Sequence, residues 1–415
     1  MTIVNQETKI LSDLFRREQV KMTAVLCRHF SLKDLDLVED IIAETFLRAI
    51  EVWPQNGIPE NPSAWLYTVA KNIAKDGFRK KTSETKKINN ILNSNFEEQQ
   101  DISFEESLIT DSQLAMIFAV CENSISPKSR VCLSLQILCG FSVEEIGFAL
   151  HSNKEAVKKI LFRAREQLRE SKFKIKDLNI DEIKLRMDSV LLTIYLLFNE
   201  GYSSKTNDSV IRIDLIKQAM NLGLSLTLSK STKTPELLAL MSLFCFQASR
   251  LDSRTNSQGS VVIFTDQDKS KWDQDLIQKG NEYFLEAFST TSRSRYHYEA
   301  AIAYWHTQEE SLEKWKYILN IYDNFLEIYN SPSVFLNRVF AYSKVYGKQK
   351  ALEEIRVYND YKNRDYHSLL GYLYSNSNIE LASLHYQKAI QMTKSKKEIA
   401  LLEQKVNELT LEGTQ

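Results

Sequence analysis

The sequence predicts an all-α protein, and three observations carry that prediction. Only 11 glycines and 6 prolines interrupt 415 residues, too few for a sandwich or a doubly wound sheet. Apolar residues recur at helical spacing through most of the chain. Helix-start signals stand where the periodic stretches begin, as at Asn61-Pro62 and at Ser142 followed by Glu145.

Composition bounds the function. A hydrophobic content of 43% with 26% charged residues suits a soluble protein long enough for two or three domains. The formal net charge of -1 creates no general cationic field, so any affinity for nucleic acid must come from local patches. Cys27, Cys121, Cys132, Cys139 and Cys245 show no CxxC spacing, and buried free thiols in a reducing compartment are expected. The histidines are scattered, and neither a Gly-rich phosphate loop nor a Ser/His/Asp arrangement is present. No catalysis, cofactor or metal is therefore expected. The N-terminus lacks a signal-peptide pattern and no apolar run reaches spanning length, which predicts a cytoplasmic chain without a membrane partner.

The first domain is expected over residues 1–85. From Leu35 to Trp53 a broad apolar face carries Leu37, Val38, Ile41, Ile42, Thr45, Phe46, Ala49 and Ile50. Asp40, Glu44, Arg48 and Glu51 fall mostly opposite. A polar loop leads to Asn61, a good cap, and Pro62, preset for the first helical position. The next helix buries Trp65, Leu66, Val69, Ala70, Ile73 and Ala74. It exposes Tyr67, Lys71, Asn72, Lys75, Arg79, Lys80 and Lys81. Cations and an aromatic on one helix suit phosphate contacts plus base stacking on separated strands. A plain amphipathic helix with snorkelling lysines fits the same pattern. Residues 86–111 then turn acidic, with Glu97, Glu98, Asp101, Glu105, Glu106 and Asp111, and read as a solvated linker.

The second domain is expected over residues 112–176. Leu114, Ile117, Phe118 and Val120 mark its first helix, and SPKSRVCLSLQILCG supplies another that stops at Gly140. Two helices follow, each opened by a Ser-x-x-Glu capping box, Ser142 with Glu145 and Ser152 with Glu155. Ile146, Ala149 and Leu150 face inward on the first, and Val157, Ile160, Leu161 and Ala164 on the second. The outer face of the second carries Lys154, Lys158, Lys159, Arg163, Arg165 and Arg169. This is the pattern of a helix-turn-helix whose second helix enters a major groove. An ordinary helical hairpin with a solvated basic face is the alternative.

Residues 180–415 are also helical, with Pro235 opening one helix. The irregular stretch Asp252 to Lys271 has a VVIF core that suits a short strand or a buried loop. Asp266, Asp268 and Asp273 lack the glycine and terminal glutamate of a calcium loop, so capping is the expected role. From Tyr296 the helices pair, with small residues and aromatics at Ala341, Ala351, Gly371, Tyr374, Ala382, Tyr386 and Ala389. This resembles a degenerate tetratricopeptide (TPR) pattern, whose stacked pairs form a concave surface for a peptide or protein partner. A plain bundle without a ligand is the other reading.

DLVEDIIAETFLRAIEVW, NPSAWLYTVAKNIAKDGFRKK and the segment ending FRAREQLRE, in that order, resemble sigma-70 family factors of the extracytoplasmic-function (ECF) type. LLFNEGYSS, FTDQDKSKWD, EAAIAYWH and PSVFLNRVFAYSKVYG resemble the subgroup with a C-terminal TPR-like extension. The resemblance implies a sigma region 2 domain, a sigma region 4 helix-turn-helix domain and a regulatory repeat domain. It implies as partners the RNA polymerase core, through its β′ clamp and β flap, and promoter DNA. Asp40, Glu44 and Arg48 fall where relatives dock on the clamp, with Phe46 mainly in the core. Asn61, Ser63, Lys71, Asn72, Lys75, Arg79 and Lys80 fall on the −10 element. Lys154, Lys158, Lys159, Arg163 and Arg165 fall on the −35 element. Lys158 stands where relatives often carry arginine, and it lacks the bidentate fork. The acidic linker is expected in the channel that later carries RNA. A stand-alone helix-turn-helix regulator with a ligand- or peptide-sensing repeat domain, or a scaffold protein, are the rival readings.

Overall fold

The computed structural model describes residues 2–88, 102–150, 152–170, 179–202, 212–254, 262, 264–356, 363–393 and 396–412. At 2–13, 77–88, 265, 396–397 and 410–412 it describes the backbone alone. The described residues form helices and turns and no strand, as the glycine-poor, helix-periodic sequence requires. They divide into two compact units, residues 1–197 and 198–415.

The first unit begins with α1 (Thr2–Phe30), α2 (Leu35–Asn56) and α3 (Pro62–Ile88), all packed on one another. Their shared core is aromatic. Phe15 stacks on Phe46 at 4.5 Å and Trp53 meets Trp65 edge-on at 5.5 Å, with Ala49 and Leu66 alongside. Pairs of this kind add about 0.5–1.5 kcal/mol beyond the area they bury. The buried Thr45 hydroxyl donates to the Ile41 carbonyl at 2.7 Å, which lets a polar side chain sit inside α2. Gly57, at φ 82°, ends α2 by donating its N–H to the Trp53 carbonyl at 2.9 Å.

The same unit continues with α4 (Glu106–Val120), α5 (Pro127–Leu133), α6 (Val143–Ala149), α7 (Lys154–Glu170) and the first part of α8 (Ile180–Tyr202). α5 runs on through one π turn, Ser134–Leu138, and stops at Gly140. A β-carbon on Gly140 (φ 66°) would lie 2.8 Å from Arg16 Cγ, so glycine lets this turn close on α1. Arg16 in turn bonds Glu145 at 2.5 Å. The Ser142/Glu145 capping box forms at the start of α6. Burial alone would raise the Glu145 carboxyl, but Ser142 and Arg16 outweigh it and hold it below the usual range. The second expected box does not form as read. α7 starts at Lys154, and its cap is Asn153, whose Oδ1 accepts the Ala156 N–H at 2.7 Å. Ser152 instead gives its N–H to the Gly147 carbonyl at 2.9 Å. α8 is tied to the turn after α4, because the buried Arg186 pairs with Glu122 and Asn123 Nδ2 donates to the Leu185 carbonyl at 3.1 Å.

The second unit holds α9 (Ile213–Thr227), α10 (Pro235–Ala248), α11 (Gln274–Ala287), α12 (Arg295–Thr307), α13 (Leu312–Ile328) and α14 (Pro332–Tyr346). α15 (Lys348–Arg356), α16 (Arg364–Tyr374), α17 (Ile379–Gln391) and α18 (Lys396–Glu412) complete it. Successive helices pack pairwise, α13 on α14, α16 on α17 and α17 on α18. Ala341, Ala351, Ala382 and Ala389 are fully buried where helices cross. A β-carbon on Gly371 would lie 2.6 Å from the Tyr386 ring, so any larger residue there would force the ring or the helix pair to shift. The irregular stretch between α10 and α11 contains short 3₁₀ turns at Leu251–Ser253, Phe264–Asp266 and Lys269–Lys271; Val261 and Ile263 lie outside the described residues. Asp268 accepts from Ser270 and Asp273 caps α11 through the Leu276 N–H at 2.9 Å.

Candidate nucleic-acid interface

The solvent face of α2 gathers Asp40, Glu44 and Arg48, all exposed, with Arg48 bonding Glu44 at 2.6 Å one turn away. Leu47 (57% exposed) and Ile50 (62% exposed) stand beside them. Ile50 was expected in the core. The buried arc of α2 is narrower than the periodic pattern implies, and Ala49 and Trp53 close it before Ile50 is reached. Leu47 was not singled out by the sequence, because one leucine among charged residues carries no periodic signal.

α3 opens at Pro62 with Asn61 as its cap, the Asn61 Oδ1 accepting the Ala64 N–H at 3.1 Å. Ser63 is half-buried in the first turn. Lys71, Asn72 and Lys75 lie further along, within about 100° of arc at 3.6 residues per turn, with Asn72 and Lys75 exposed and Lys71 half-buried. The side chains of Arg79 and Lys80 lie outside the described residues, as do those of Glu97, Glu98 and Asp101 in the linker. Tyr67 was expected to be exposed for base stacking and is not. Its ring stacks on Phe104 at 4.5 Å, and its hydroxyl donates to the buried Glu18. Burial, then Glu18, raises that hydroxyl well above the usual tyrosine range, so it stays protonated.

α7 buries Val157, Leu161, Ala164 and Leu168. Its basic residues divide into three groups. Lys159 and Arg163 are exposed and have no ion pair among the described residues. Lys154 pairs with Glu144, and Lys158 with Glu155 at 2.9 Å. Arg165 is only 14% exposed and turns away from solvent. It makes a two-pronged contact to Glu39, at 2.8 and 2.5 Å, and bonds Gln136 at 2.9 Å. Arg169 follows it to Asp36 at 2.6 Å. The expected outer position of Arg165 is corrected by these partners: it joins α7 to the start of α2.

Residues 14–84 match the family model described as Sigma-70 region 2, and residues 186–288 match a family of unknown function, DUF6596. The ECF RNA polymerase sigma factor BldN of Streptomyces coelicolor is 31% identical over 131 residues, 30% of this chain and 47% of its own. The ECF RNA polymerase sigma-E factor of Escherichia coli K12 is 28% identical over 170 residues, 39% of this chain and 86% of its own. An uncharacterized protein of Rhizobium meliloti, R00370, is 30% identical over 333 residues, 79% of this chain and 78% of its own. The front of the chain thus carries a sigma-70 region 2 match and is similar to ECF-type sigma factors.

The region 2 match spans the described side chains of α1, all of α2 and most of α3. The likeness to R00370 is long enough to include residues behind the sigma portion. No solved structure matches the chain. Among the described residues no helix is long and apolar enough to cross a membrane, and no cluster of three metal-ligating side chains occurs.

Proposed function

We propose that the chain is a dissociable RNA polymerase subunit that directs core enzyme to specific promoters and aids their melting. In this reading Asp40, Glu44 and Arg48 meet the coiled coil of the β′ clamp, with Leu47 and Ile50 as the apolar centre of the contact. Asn61, Ser63, Lys71, Asn72, Lys75, Arg79 and Lys80 hold the separated −10 element. Lys154, Lys158, Lys159 and Arg163 approach the −35 element beside the β flap, joined by Arg165 once it leaves Glu39. The second unit is a TPR-like regulatory domain with a peptide or protein partner. RNA synthesis itself remains the chemistry of the core enzyme.

The observation that carries the reading is the pair Leu47 and Ile50, two large apolar side chains kept out of the core and bordered by charge on one helix face. Such a patch suits a helical partner with apolar knobs and a polar rim. The test is co-elution of the full chain with purified core polymerase, followed by run-off transcription on a genomic promoter library. Leu47→Asp with Ile50→Asp is expected to weaken the complex at least tenfold while the thermal melt stays unchanged. Failure of the wild-type chain to co-elute would end this reading.

A further inference from the structure

The second unit contains a cleft of about 1020 Å³ walled by residues from the 3₁₀ turns after α10 through to α18. Its charged lining is unbalanced. Arg250, Lys269, Lys344, Lys348 and Lys405 face two carboxylates, Glu310 and Glu408. Both carboxylates are already engaged, Glu310 by Lys314 at 3.0 Å and by the Trp315 indole, Glu408 by Lys405 at 2.8 Å. His306 adds no charge, since burial first and the nearby cations second push its pKa down to about 3. The cleft is therefore cationic in a chain whose formal net charge is -1.

The cations are also set among aromatic rings. Lys344 Nζ lies 5.7, 5.3 and 5.6 Å from the ring centres of Trp315, Phe340 and Tyr372, and no carboxylate among the described residues pairs with it. Lys348 Nζ lies 4.4 Å from the Tyr372 centre and reaches Ser375 Oγ at 2.7 Å. Gly347, at φ 90°, ends α14 and lets α15 begin at once, so lysines from two successive helices approach the same ring. A second ring group, Phe264 and Trp272, holds Arg250 at 4.9 and 5.8 Å. Lysine and arginine held this way lose little entropy when an anion arrives.

We propose that this cleft binds an extended acidic peptide, with Lys344 and Lys348 taking its carboxylates and Trp315, Phe340 and Tyr372 packing its apolar side chains. This deepens the reading of the second unit as a partner-binding domain and rests on it. The Lys344–Lys348 pair, which shares the Tyr372 ring, and Arg250, held by Phe264 and Trp272, sit in separate ring groups on different elements, which matches carboxylates repeated along an extended chain at about 3.3 Å per residue. A nucleotide would need them converging on one phosphate group.

The test is selection of a random decapeptide display library on the immobilised full-length chain, counter-selected on Lys344→Gln with Lys348→Gln. Survivors are expected to carry two or more Asp or Glu residues flanked by apolar ones. They should bind the wild-type chain at least tenfold more tightly than the variant, with Glu→Gln peptides losing binding to a similar extent. The variant should melt at the wild-type temperature and co-elute with core polymerase as before. No survivors, survivors without acidic bias, equal binding to the variant, or preferential displacement by a single-stranded oligonucleotide would each overturn the proposal. Co-elution with polymerase is a separate readout, so a failed selection leaves the sigma-factor reading standing, and failed co-elution leaves the selection interpretable.

Discussion

Asn153 Oδ1 accepts the N–H of Ala156 at 2.7 Å, which makes it, and not Ser152, the side chain that closes the first turn of α7. The Ser-x-x-Glu spacing points to Ser152, and the same spacing is honoured at Ser142 and Glu145. The difference lies in the preceding glycine. A β-carbon on Gly147 would stand 2.8 Å from the Ser152 carbonyl, so the turn folds tightly over α6 and draws the Ser152 N–H to the Gly147 carbonyl. The next residue is left to cap. Asn153→Ala is thus expected to lower the unfolding free energy by about 1 kcal/mol. Ser152→Ala should stay within about 0.5 kcal/mol. Urea denaturation of both variants decides it, and a larger loss at Ser152 would mean that α7 starts one residue earlier.

At the scale of the element, most of the proposed −10 contacts fall on α3. Lys71 and Lys75 are one turn apart, so under that proposal they would meet successive phosphates of one strand more readily than one phosphate together. Removing both as Lys71→Ala with Lys75→Ala is expected to flatten the salt dependence of promoter-complex formation by about one to two in log–log slope. Holoenzyme binding measured across a salt series checks this, and an unchanged slope would remove the two lysines from the phosphate contacts. The existence of α2, α3 and α7 was legible because each keeps a helical apolar period over several turns. What periodicity could not supply was the width of each buried arc and the partners at its edge. Ile50 falls outside the arc of α2, Tyr67 is drawn inward by Glu18 and Phe104, and Arg165 is drawn inward by Glu39. The last two depend on residues distant in sequence, which a local pattern does not contain. The C-terminal repeats show the converse. Gly371 and Ala382 were legible as crossing points, since a missing side chain has few other uses inside a helix pair.

At the scale of the molecule, the ion pairs of the first unit connect α2 and α1 to the α6–α7 pair. Arg165 and Arg169 reach Glu39 and Asp36, and Arg16 reaches Glu145. With Lys154 and Lys158 also paired, Lys159 and Arg163 are the two basic residues of α7 within Lys154–Glu170 that have no ion pair among the described residues. The free chain should accordingly hold duplex DNA weakly, because affinity for phosphate follows the number of cations that reach it. Replacing Asp36 with Asn and Glu39 with Gln removes both acidic partners without adding repulsion, while Gln136 still supports Arg165. The two guanidinium groups then become available to DNA. The expected result is tighter binding of the free chain to duplex DNA, with a log–log salt slope steeper by about one to two. Fluorescence anisotropy of a labelled duplex across a salt series reads both quantities. Unchanged affinity and slope would mean that Arg165 and Arg169 stay packed against α2 without their carboxylates, so that steric fit, and not charge pairing, keeps α7 from DNA.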